Sequence, residues 1–302
     1  MDSIKIKDLK PIGVEDKDIF LKYFSVQGRM SCECNFASLY SWSSKYNFSW
    51  TEYKDNLIVY GALEKALLMP PGKFPTVEEI TSLAKKFRDN DLGAGTIYDV
   101  PDVYLARFPD VKEYFDIQCS EDQNDYIYST SKLCRLDGKR LRKKRNLIKQ
   151  FEHEYPNFKC LPLSASNKEA ALEMAMKINA QLPQGRFIDE ENHALQSAFA
   201  ELEQIGMEGV VLYAAENKIA GISVFSRLNP ETFDVHFEKA DHNYKGSSQM
   251  LARQVACVLH NRSKYLNREQ DMGIPGLRRA KKSLDPIYMY KRYTITLKED
   301  IG

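Results

Sequence analysis

One order of secondary-structure elements occurs twice in this chain, and it restricts the fold more than any other feature. Residues 56–68 predict a hairpin of two short apolar strands, which a helix over 76–88 and a further strand follow. Residues 209–228 predict a second hairpin, followed by a strand, a helix over 247–260 and another strand. Strands and helices that mix in this way indicate an α/β fold with mixed sheets.

The chain length agrees with two such units. Its 302 residues correspond to about two domains at roughly 150 residues each. We therefore expect one unit over 1–160 and a second over 161–302, which carries the candidate active site. Because no flexible linker separates them, we expect the two units to pack together. A long helix over 136–155, with Asp137 as its N-cap, is expected just before the division.

Charge and hydrophobicity exclude several classes of protein. Lys and Arg number 43 and Asp and Glu 42, which leaves a net charge of +1. A protein that binds nucleic acid through its overall field is therefore not expected, although a local basic patch is possible. No apolar run approaches the ~18 residues of a membrane helix, and the first residues lack the apolar segment of a signal peptide. We expect a cytoplasmic protein.

The six cysteines form no recognisable metal or redox motif. Cys32 and Cys34 are the closest pair in sequence, and one intervening residue fits zinc spacings poorly. His153 and Glu154 begin like a metalloprotease motif, but the second histidine is missing. We therefore expect free, buried thiols and no bound metal.

The first candidate site is the polar loop that opens the helix over 247–260. Lys245, Gly246, Ser247 and Ser248 occupy it, and backbone N–H groups at a helix start suit a phosphate or carboxylate. Gly246 would let a ligand approach closely, and Lys245 would add a positive charge. The alternative is an ordinary helix start with a serine N-cap.

The second candidate is the polar face of the strand before this loop. Asp234, His236 and Glu238 alternate with apolar residues and so share one face. If this face lines a cleft, Glu238 is a candidate general base and Lys239 a candidate charge partner of the substrate. The alternative is a solvent-exposed face of a half-buried sheet.

The third candidate combines acids at a strand end with a short cationic helix. Alternation places Asn267, Glu269 and Asp271 on one side, in steps of about 6.6 Å. After a turn, Arg278, Lys281 and Lys282 share a helical face. The acids could accept a proton or hold an ammonium group, and the cations could stabilise an oxyanion or bind phosphate. A structural network of salt bridges is the alternative.

The fourth candidate is the segment from Lys139 to Lys149, which holds seven lysines and arginines in eleven positions. This concentration of positive charge could bind an RNA backbone, an anionic membrane surface or a phosphorylated substrate. A solvated helix paired with nearby acids such as Glu152 is the alternative.

Three strings in this sequence resemble a bacterial family. Residues 265–286 (YLNREQDMGIPGLRRAKKSLDP), 236–241 (HFEKAD) and 125–146 (DYIYSTSKLCRLDGKRLRKKRN) are similar to the DUF2156 family. That family is similar to the cytosolic C-terminal domain of phosphatidylglycerol lysyltransferases. The resemblance implies two tandem GNAT-type acyltransferase folds, and by analogy Lys245 to Ser248 would be the phosphate-gripping helix start. It supports a functional role for Glu238, Lys239, Asn267, Arg268, Glu269, Asp271, Gly273, Gly276, Leu277, Arg278, Lys281 and Lys282.

The resemblance also implies an activity. We expect an acyltransferase that passes an aminoacyl or acyl group from aminoacyl-tRNA or acyl-CoA to an amine or hydroxyl, with no tightly bound cofactor. Glu238, Glu269 or Asp271 would accept the proton, and Arg278 or Lys281 would stabilise the oxyanion. The basic segment would bind tRNA, and an anionic lipid head group is a possible partner. The alternative is a non-catalytic module on the same fold that binds an anionic ligand or RNA.

Overall fold

The computed structural model describes residues 5–181 and 188–299. They form two compact units. Unit 1 contains the residues up to Asn124 together with those from Tyr290 onward, and unit 2 runs from Asp125 to Met289. Each unit is built on one seven-stranded mixed sheet within the described residues.

The strands are as follows: β1 Lys10–Pro11, β2 Phe48–Tyr53, β3 Asn56–Gly61, β4 Ala66–Leu68, β5 Thr96–Pro101, β6 Phe115–Cys119, β7 Asp125–Ser129, β8 Lys159–Pro162, β9 Met207–Ala215, β10 Lys218–Asn229, β11 Thr232–Ala240, β12 Tyr265–Asn267, β13 Tyr288–Tyr290 and β14 Arg292–Leu297. The α-helices are as follows: α1 Lys17–Gln27, α2 Phe36–Tyr46, α3 Val77–Arg88, α4 Asp102–Arg107, α5 Val111–Tyr114, α6 Thr130–Arg135, α7 Arg142–Glu154, α8 Lys168–Asn179, α9 Ile188–Ala200, α10 Ser247–Leu259 and α11 Pro275–Lys282.

Both sheets contain the same type of connection, a helix that joins two neighbouring parallel strands, as the order of elements predicts. Sheet 1 has the order β1-β2-β3-β4-β5-β14-β6, and sheet 2 has the order β13-β7-β12-β11-β10-β9-β8. In sheet 1, α3 connects the parallel neighbours β4 and β5. In sheet 2, α10 connects the parallel neighbours β11 and β12. A helix crossover is what a parallel pair requires, and the expected fold of two α/β units with mixed sheets is confirmed.

Each crossover helix forms because its apolar residues recur at helical spacing. In α3 the buried residues include Val77, Ile80, Ala84 and Phe87, and Thr76 with Glu79 forms a capping box at its start. In α10 the buried residues are Ser247, Met250, Leu251, Ala252, Val255, Ala256 and Leu259. The apolar members of the α10 set join the main core of unit 2.

The division between the units differs from the expected one at residue 160. Strand β7 pairs with β12, and Leu141, Ile148 and Phe151 belong to the core of unit 2. Residues 125–160 therefore fold with the second half of the chain. Strand β14 lies between β5 and β6 in sheet 1, so the end of the chain returns to unit 1.

Two further local expectations are corrected by the structure. The helix expected over 136–155 begins at Arg142, after a 3-10 turn at Lys139–Leu141. Asp137 does not cap it, because its carboxylate accepts a hydrogen bond from Arg135. Cys134 and Cys257 form a disulfide, although free thiols were expected; nothing in the sequence pairs two cysteines 123 residues apart.

Candidate active site

The candidate site of unit 2 lies where two parallel strands part. Strand β12 pairs with β11 over residues 232–234 and ends at Asn267, while β11 continues to Ala240. The chain then turns at Glu269, which has a φ of 54°, in the left-handed region that most side chains avoid. Side chains of the loop 268–273 consequently contact β11 beyond its pairing with β12.

A β-bulge shapes the same part of β11. Val235 pairs with Phe225 and Phe237 with Val224, so His236 is an extra residue on its strand. Bulges redirect side chains and are common beside active sites. The simple alternation expected for Asp234, His236 and Glu238 is therefore interrupted. The polar residues are also not on a solvent-exposed face, since Asp234 is fully buried.

Glu238 and Arg268 form a nearly buried ion pair in this gap. An Arg268 Nη2 proton is donated to Glu238 Oε1 at 2.6 Å, and the two side chains are 10% and 17% exposed. Among the described residues, the buried atoms Glu238 Oε2, Arg268 Nε and Arg268 Nη1 have no hydrogen-bond partner. Buried polar atoms without partners are costly, and each calls for an explanation such as catalysis or a ligand. The pair thus offers one acceptor and two donors to a bound molecule.

Two more side chains surround the guanidinium of Arg268. It lies over the Tyr128 ring at 5.8 Å from the centroid. Burial, and then the positive charge of Arg268, lower the pKa of Lys144. Burial lowers the pKa of Arg268, but the adjacent Glu238 carboxylate outweighs it and raises the pKa overall. The Lys144 and Arg268 cations are therefore close enough to interact.

Asp271 and Arg278 lie together, as predicted, but their charged groups form an ion pair with each other. Arg278 donates from Nε and Nη2 to the two oxygens of Asp271, each at 2.9 Å. Tyr126 donates its hydroxyl to Asp271 at 2.6 Å, and the Gly273 N–H donates at 2.9 Å. Burial raises the pKa of Asp271, but these hydrogen bonds outweigh it and lower the pKa to about 2. A fully buried carboxylate so well bonded is a poor proton acceptor, which argues against the expected role of Asp271 as a base.

Lys281 also holds the loop rather than reaching an open space. Its ammonium group donates to the carbonyl of Arg268 and, at 2.7 Å, to that of Gln270. The Tyr128 hydroxyl in turn donates to the Lys281 carbonyl at 2.8 Å. Lys281 therefore holds the loop that carries Arg268, and Arg278 holds the same loop through Asp271. Both groups that were expected to bind an oxyanion are engaged with the protein.

Two residues expected to bind the cofactor or substrate make internal contacts. The Asn267 amide group donates to Asp125 at 2.9 Å, and its oxygen accepts the Glu269 N–H at 2.6 Å. Lys239 pairs with Glu191 of α9 at 2.8 Å. Asn267 therefore maintains the strand end, and Lys239 links β11 to a helix.

The expected anion site at the start of α10 is partly closed. A Cβ on Gly246 would lie 2.4 Å from the Leu147 carbonyl oxygen, so α7 packs directly on this turn. The Ser247 N–H donates to the Tyr244 carbonyl at 3.0 Å, and its buried hydroxyl donates to the Asp241 carbonyl. Lys245 is exposed and Ser248 is half-buried. The packing of α7 leaves little space for a phosphate at Gly246.

The basic segment divides between exposed and structural cations. Lys139, Arg142 and Lys143 are exposed. Arg140 pairs with Asp285 at 3.0 Å, and Arg145 donates to the carbonyls of Leu136 and Gly138. The segment thus retains a local basic surface, and Lys144 within it approaches Arg268.

Asp234, His236 and Glu269 lie close together, although Glu269 is distant from the other two in the sequence. Glu269 Oε1 lies 3.4 Å from His236 Nδ1, and Asp234 Oδ2 lies 3.6 Å from the same nitrogen. All three residues were predicted as site residues, but in two separate candidates that the sequence does not join. Lys144 lies in the basic segment predicted as a candidate. Tyr126 and Tyr128 were not predicted as site residues, and the alternation of DYIYS was the available signal for them.

Comparisons with known proteins agree with this fold. The family described as phosphatidylglycerol lysyltransferase, C-terminal, matches residues 26–296. A conserved protein of unknown function from Bacteroides thetaiotaomicron has a similar crystal structure (TM-score 0.88, 29% identity, 96% of this chain and 99% of that chain). L-PGS from Bacillus licheniformis shares the fold (TM-score 0.65, 12% identity, 96% and 92% of the two chains).

A curated relative matches less completely. An uncharacterised protein of Mycoplasmoides gallisepticum is 28% identical over 198 residues, which are 61% of this chain and 60% of that protein. The match therefore spans less than two thirds of the relative's length. None of the helices in residues 5–181 and 188–299 is long and apolar enough to cross a membrane.

Proposed function

This chain belongs to the family of phosphatidylglycerol lysyltransferase C-terminal domains, and we propose that it transfers an aminoacyl group from aminoacyl-tRNA to an amine or hydroxyl acceptor. The observation that carries the proposal is the Glu238–Arg268 pair, with one carboxylate oxygen and two guanidinium nitrogens buried and without partners. A transfer of this kind needs an acceptor for one proton and donors for one developing oxyanion.

The reaction would use these atoms directly. The acceptor N–H or O–H attacks the carbonyl carbon of the aminoacyl ester, and Glu238 Oε2 takes the proton. Arg268, through either Nε or Nη1, donates to the oxyanion of the tetrahedral intermediate. The ester C–O bond then breaks, and the proton passes from Glu238 to the departing ribose oxygen of the tRNA.

The surroundings of the pair support aminoacyl-tRNA over acyl-CoA as the donor. The turn at Gly246 that a CoA pyrophosphate would need is packed against the Leu147 carbonyl. Exposed Lys139, Arg142 and Lys143 offer a basic surface on the segment that also carries Lys144. An RNA backbone is the larger anion and suits such a surface better. A lipid head-group hydroxyl and a small amine are the acceptors to compare.

A transfer assay tests the proposal. The purified chain is incubated with individual aminoacyl-tRNAs, each carrying a labelled amino acid, and with vesicles of phosphatidylglycerol or with soluble amines. We expect Glu238→Gln to lower the transfer rate by about 10²–10⁴, the usual contribution of a general base. Arg268→Lys should also lower it strongly, because lysine cannot present two donors in a fixed plane.

Glu216→Gln is the matched control, since Glu216 is an exposed carboxylate in the β9–β10 turn. Circular dichroism and thermal unfolding establish that each variant folds. Normal transfer by Glu238→Gln would remove this residue from the mechanism. Tight binding of tRNA with no transfer to any acceptor would instead favour a non-catalytic RNA-binding module.

A further inference from the structure

We infer that Asp234, His236 and Glu269 form a binding site for one divalent transition-metal ion. One atom from each residue lies within 4.8 Å of the other two. The inference is independent of aminoacyl transfer, since it depends only on these three side chains and their supports.

The distances fit an ion better than direct hydrogen bonds. His236 Nδ1 is 3.4 Å from Glu269 Oε1 and 3.6 Å from Asp234 Oδ2, which is longer than a normal N–H···O bond of about 2.7–3.2 Å. Ligand bonds of about 2.1 Å place neighbouring ligand atoms about 3.0 Å apart in octahedral and about 3.4 Å apart in tetrahedral geometry. The observed separations therefore leave room for an ion between the three groups.

The histidine supplies an independent indication. Its side chain is only 2% exposed, and Nδ1 is buried without a hydrogen-bond partner among the described residues. The other ring nitrogen, Nε2, lies 2.8 Å from the Ser226 hydroxyl. When Nε2 donates its proton there, the Nδ1 lone pair faces the two carboxylates, as in metal sites whose outer contacts fix the imidazole.

Irregular backbone geometry positions both His236 and Glu269. His236 occupies the bulge of β11, and Glu269 occupies the left-handed turn of the loop 268–273. Asn267 maintains that turn by accepting the Glu269 N–H. Such positions persist only where the surrounding structure enforces them, and they concentrate at functional sites.

The donor set selects the class of ion. Imidazole favours zinc and other transition metals, whereas magnesium and calcium prefer oxygen alone. Glu269 is 22% exposed, which provides an entry path from solvent. An ion here would join β11 to the loop that carries Arg268 and would fix the position of its guanidinium group.

Metal binding to the full chain tests this inference. The protein is dialysed against EDTA, and Zn²⁺ is titrated in competition with a chromophoric chelator; Co²⁺ is added separately and its visible spectrum recorded. We expect one Zn²⁺ per chain, a Co²⁺ spectrum of low coordination number, and a higher Tm with either ion. Mg²⁺ at the same concentration should shift the Tm much less.

Variants separate the site from incidental binding. Glu269→Gln should weaken Zn²⁺ binding at least tenfold, and since this side chain is partly exposed the variant should fold. His236→Gln should abolish binding, while His242→Gln, an exposed histidine, should bind like the wild type. Failure of the wild type to bind Zn²⁺, or unchanged binding by Glu269→Gln and His236→Gln, would overturn the inference.

Discussion

Two carboxylates of unit 2 illustrate how contacts decide the chemistry of a residue. Asp271 accepts hydrogen bonds from Arg278, Tyr126 and Gly273, so its charge is stabilised and its contribution is to the loop. Glu238 has one oxygen bound by Arg268 and one buried without a partner. The first carboxylate is fully hydrogen-bonded by the protein itself, whereas the second keeps one oxygen available to a ligand.

Asp16 in unit 1 is a residue whose role should be purely structural. Its carboxylate is 3% exposed and accepts hydrogen bonds from Gly13, Lys10 and Trp50 at 2.8–3.0 Å. Burial raises its pKa, but these donors outweigh it and lower the pKa below the ordinary 3.8. We expect Asp16→Asn to reduce the free energy of unfolding by about 1–3 kcal/mol, because a donor is left unsatisfied.

The pH dependence follows from the direction of this shift. A lowered folded-state pKa contributes stability that is fully present above pH 3.8 and is lost as the pH falls through the folded-state value. The difference between wild type and Asp16→Asn should therefore shrink in acid. Urea unfolding followed by tryptophan fluorescence measures it, since Trp42 and Trp50 both lie in unit 1. Exposed Asp18→Asn is the control, and a difference that grows in acid would contradict the assignment.

Sequence patterns predicted which residues lie together in unit 2, but not the contacts that each of them makes. The candidate residues at the end of β12 and along β11 do meet, because the parallel pairing of these strands follows from the crossover helix. Alternation could not show the bulge at His236 or the left-handed turn at Glu269, and these two irregularities decide which acids meet which cations. The pairing of Lys239 with Glu191 was also invisible, since it joins elements 48 residues apart.

At the scale of elements, periodic helices were predicted more accurately than helix ends in charged segments. The helix expected over 76–88 differs from α3 by one residue, because Thr76 and Glu79 form a clear capping signal. The helix expected over 136–155 begins six residues late at Arg142. Gly138, with a φ of 98°, interrupts it before the basic residues begin.

The basic segment is expected to bind RNA through its exposed cations. A triple variant, Lys139→Gln, Arg142→Gln and Lys143→Gln, removes three positive charges without changing Arg140, which pairs with Asp285, or Arg145, which donates to backbone carbonyls. We expect weaker tRNA binding and a smaller dependence of log K on log salt concentration, by about 0.7–0.9 for each lost phosphate contact. Fluorescence anisotropy with labelled tRNA between 50 and about 200 mM salt gives both quantities.

A matched triple variant controls for net charge. Lys65, Lys112 and Lys218 are exposed and lie outside the segment, so their change to glutamine removes the same charge elsewhere. Its salt dependence should equal that of the wild type. Equal slopes for all three proteins would show that the segment does not contact the phosphate backbone.

At the scale of the whole molecule, the two units are not two consecutive halves of the sequence. The repeated order of elements predicted two α/β units, and this is what forms. The boundary could not be read from it, because β14 joins sheet 1 from the far end of the chain and β7 joins sheet 2 from the first half. Pairings of such long sequence separation leave no local signal.

This arrangement makes unit 1 dependent on the last strand. Strand β14 pairs with both β5 and β6, and its Ile295 and Leu297 are buried in the core of unit 1. A chain ending at Met289 loses these contacts and leaves β6 without its sheet neighbour. We expect hydrogen exchange to become fast in β5 and β6, while β9, β10 and β11 of unit 2 keep their protection. Ile295→Asp in the full chain should act in the same direction, whereas exposed Lys291→Asp should not; slow exchange in β5 and β6 of the shortened chain would show that unit 1 closes without its seventh strand.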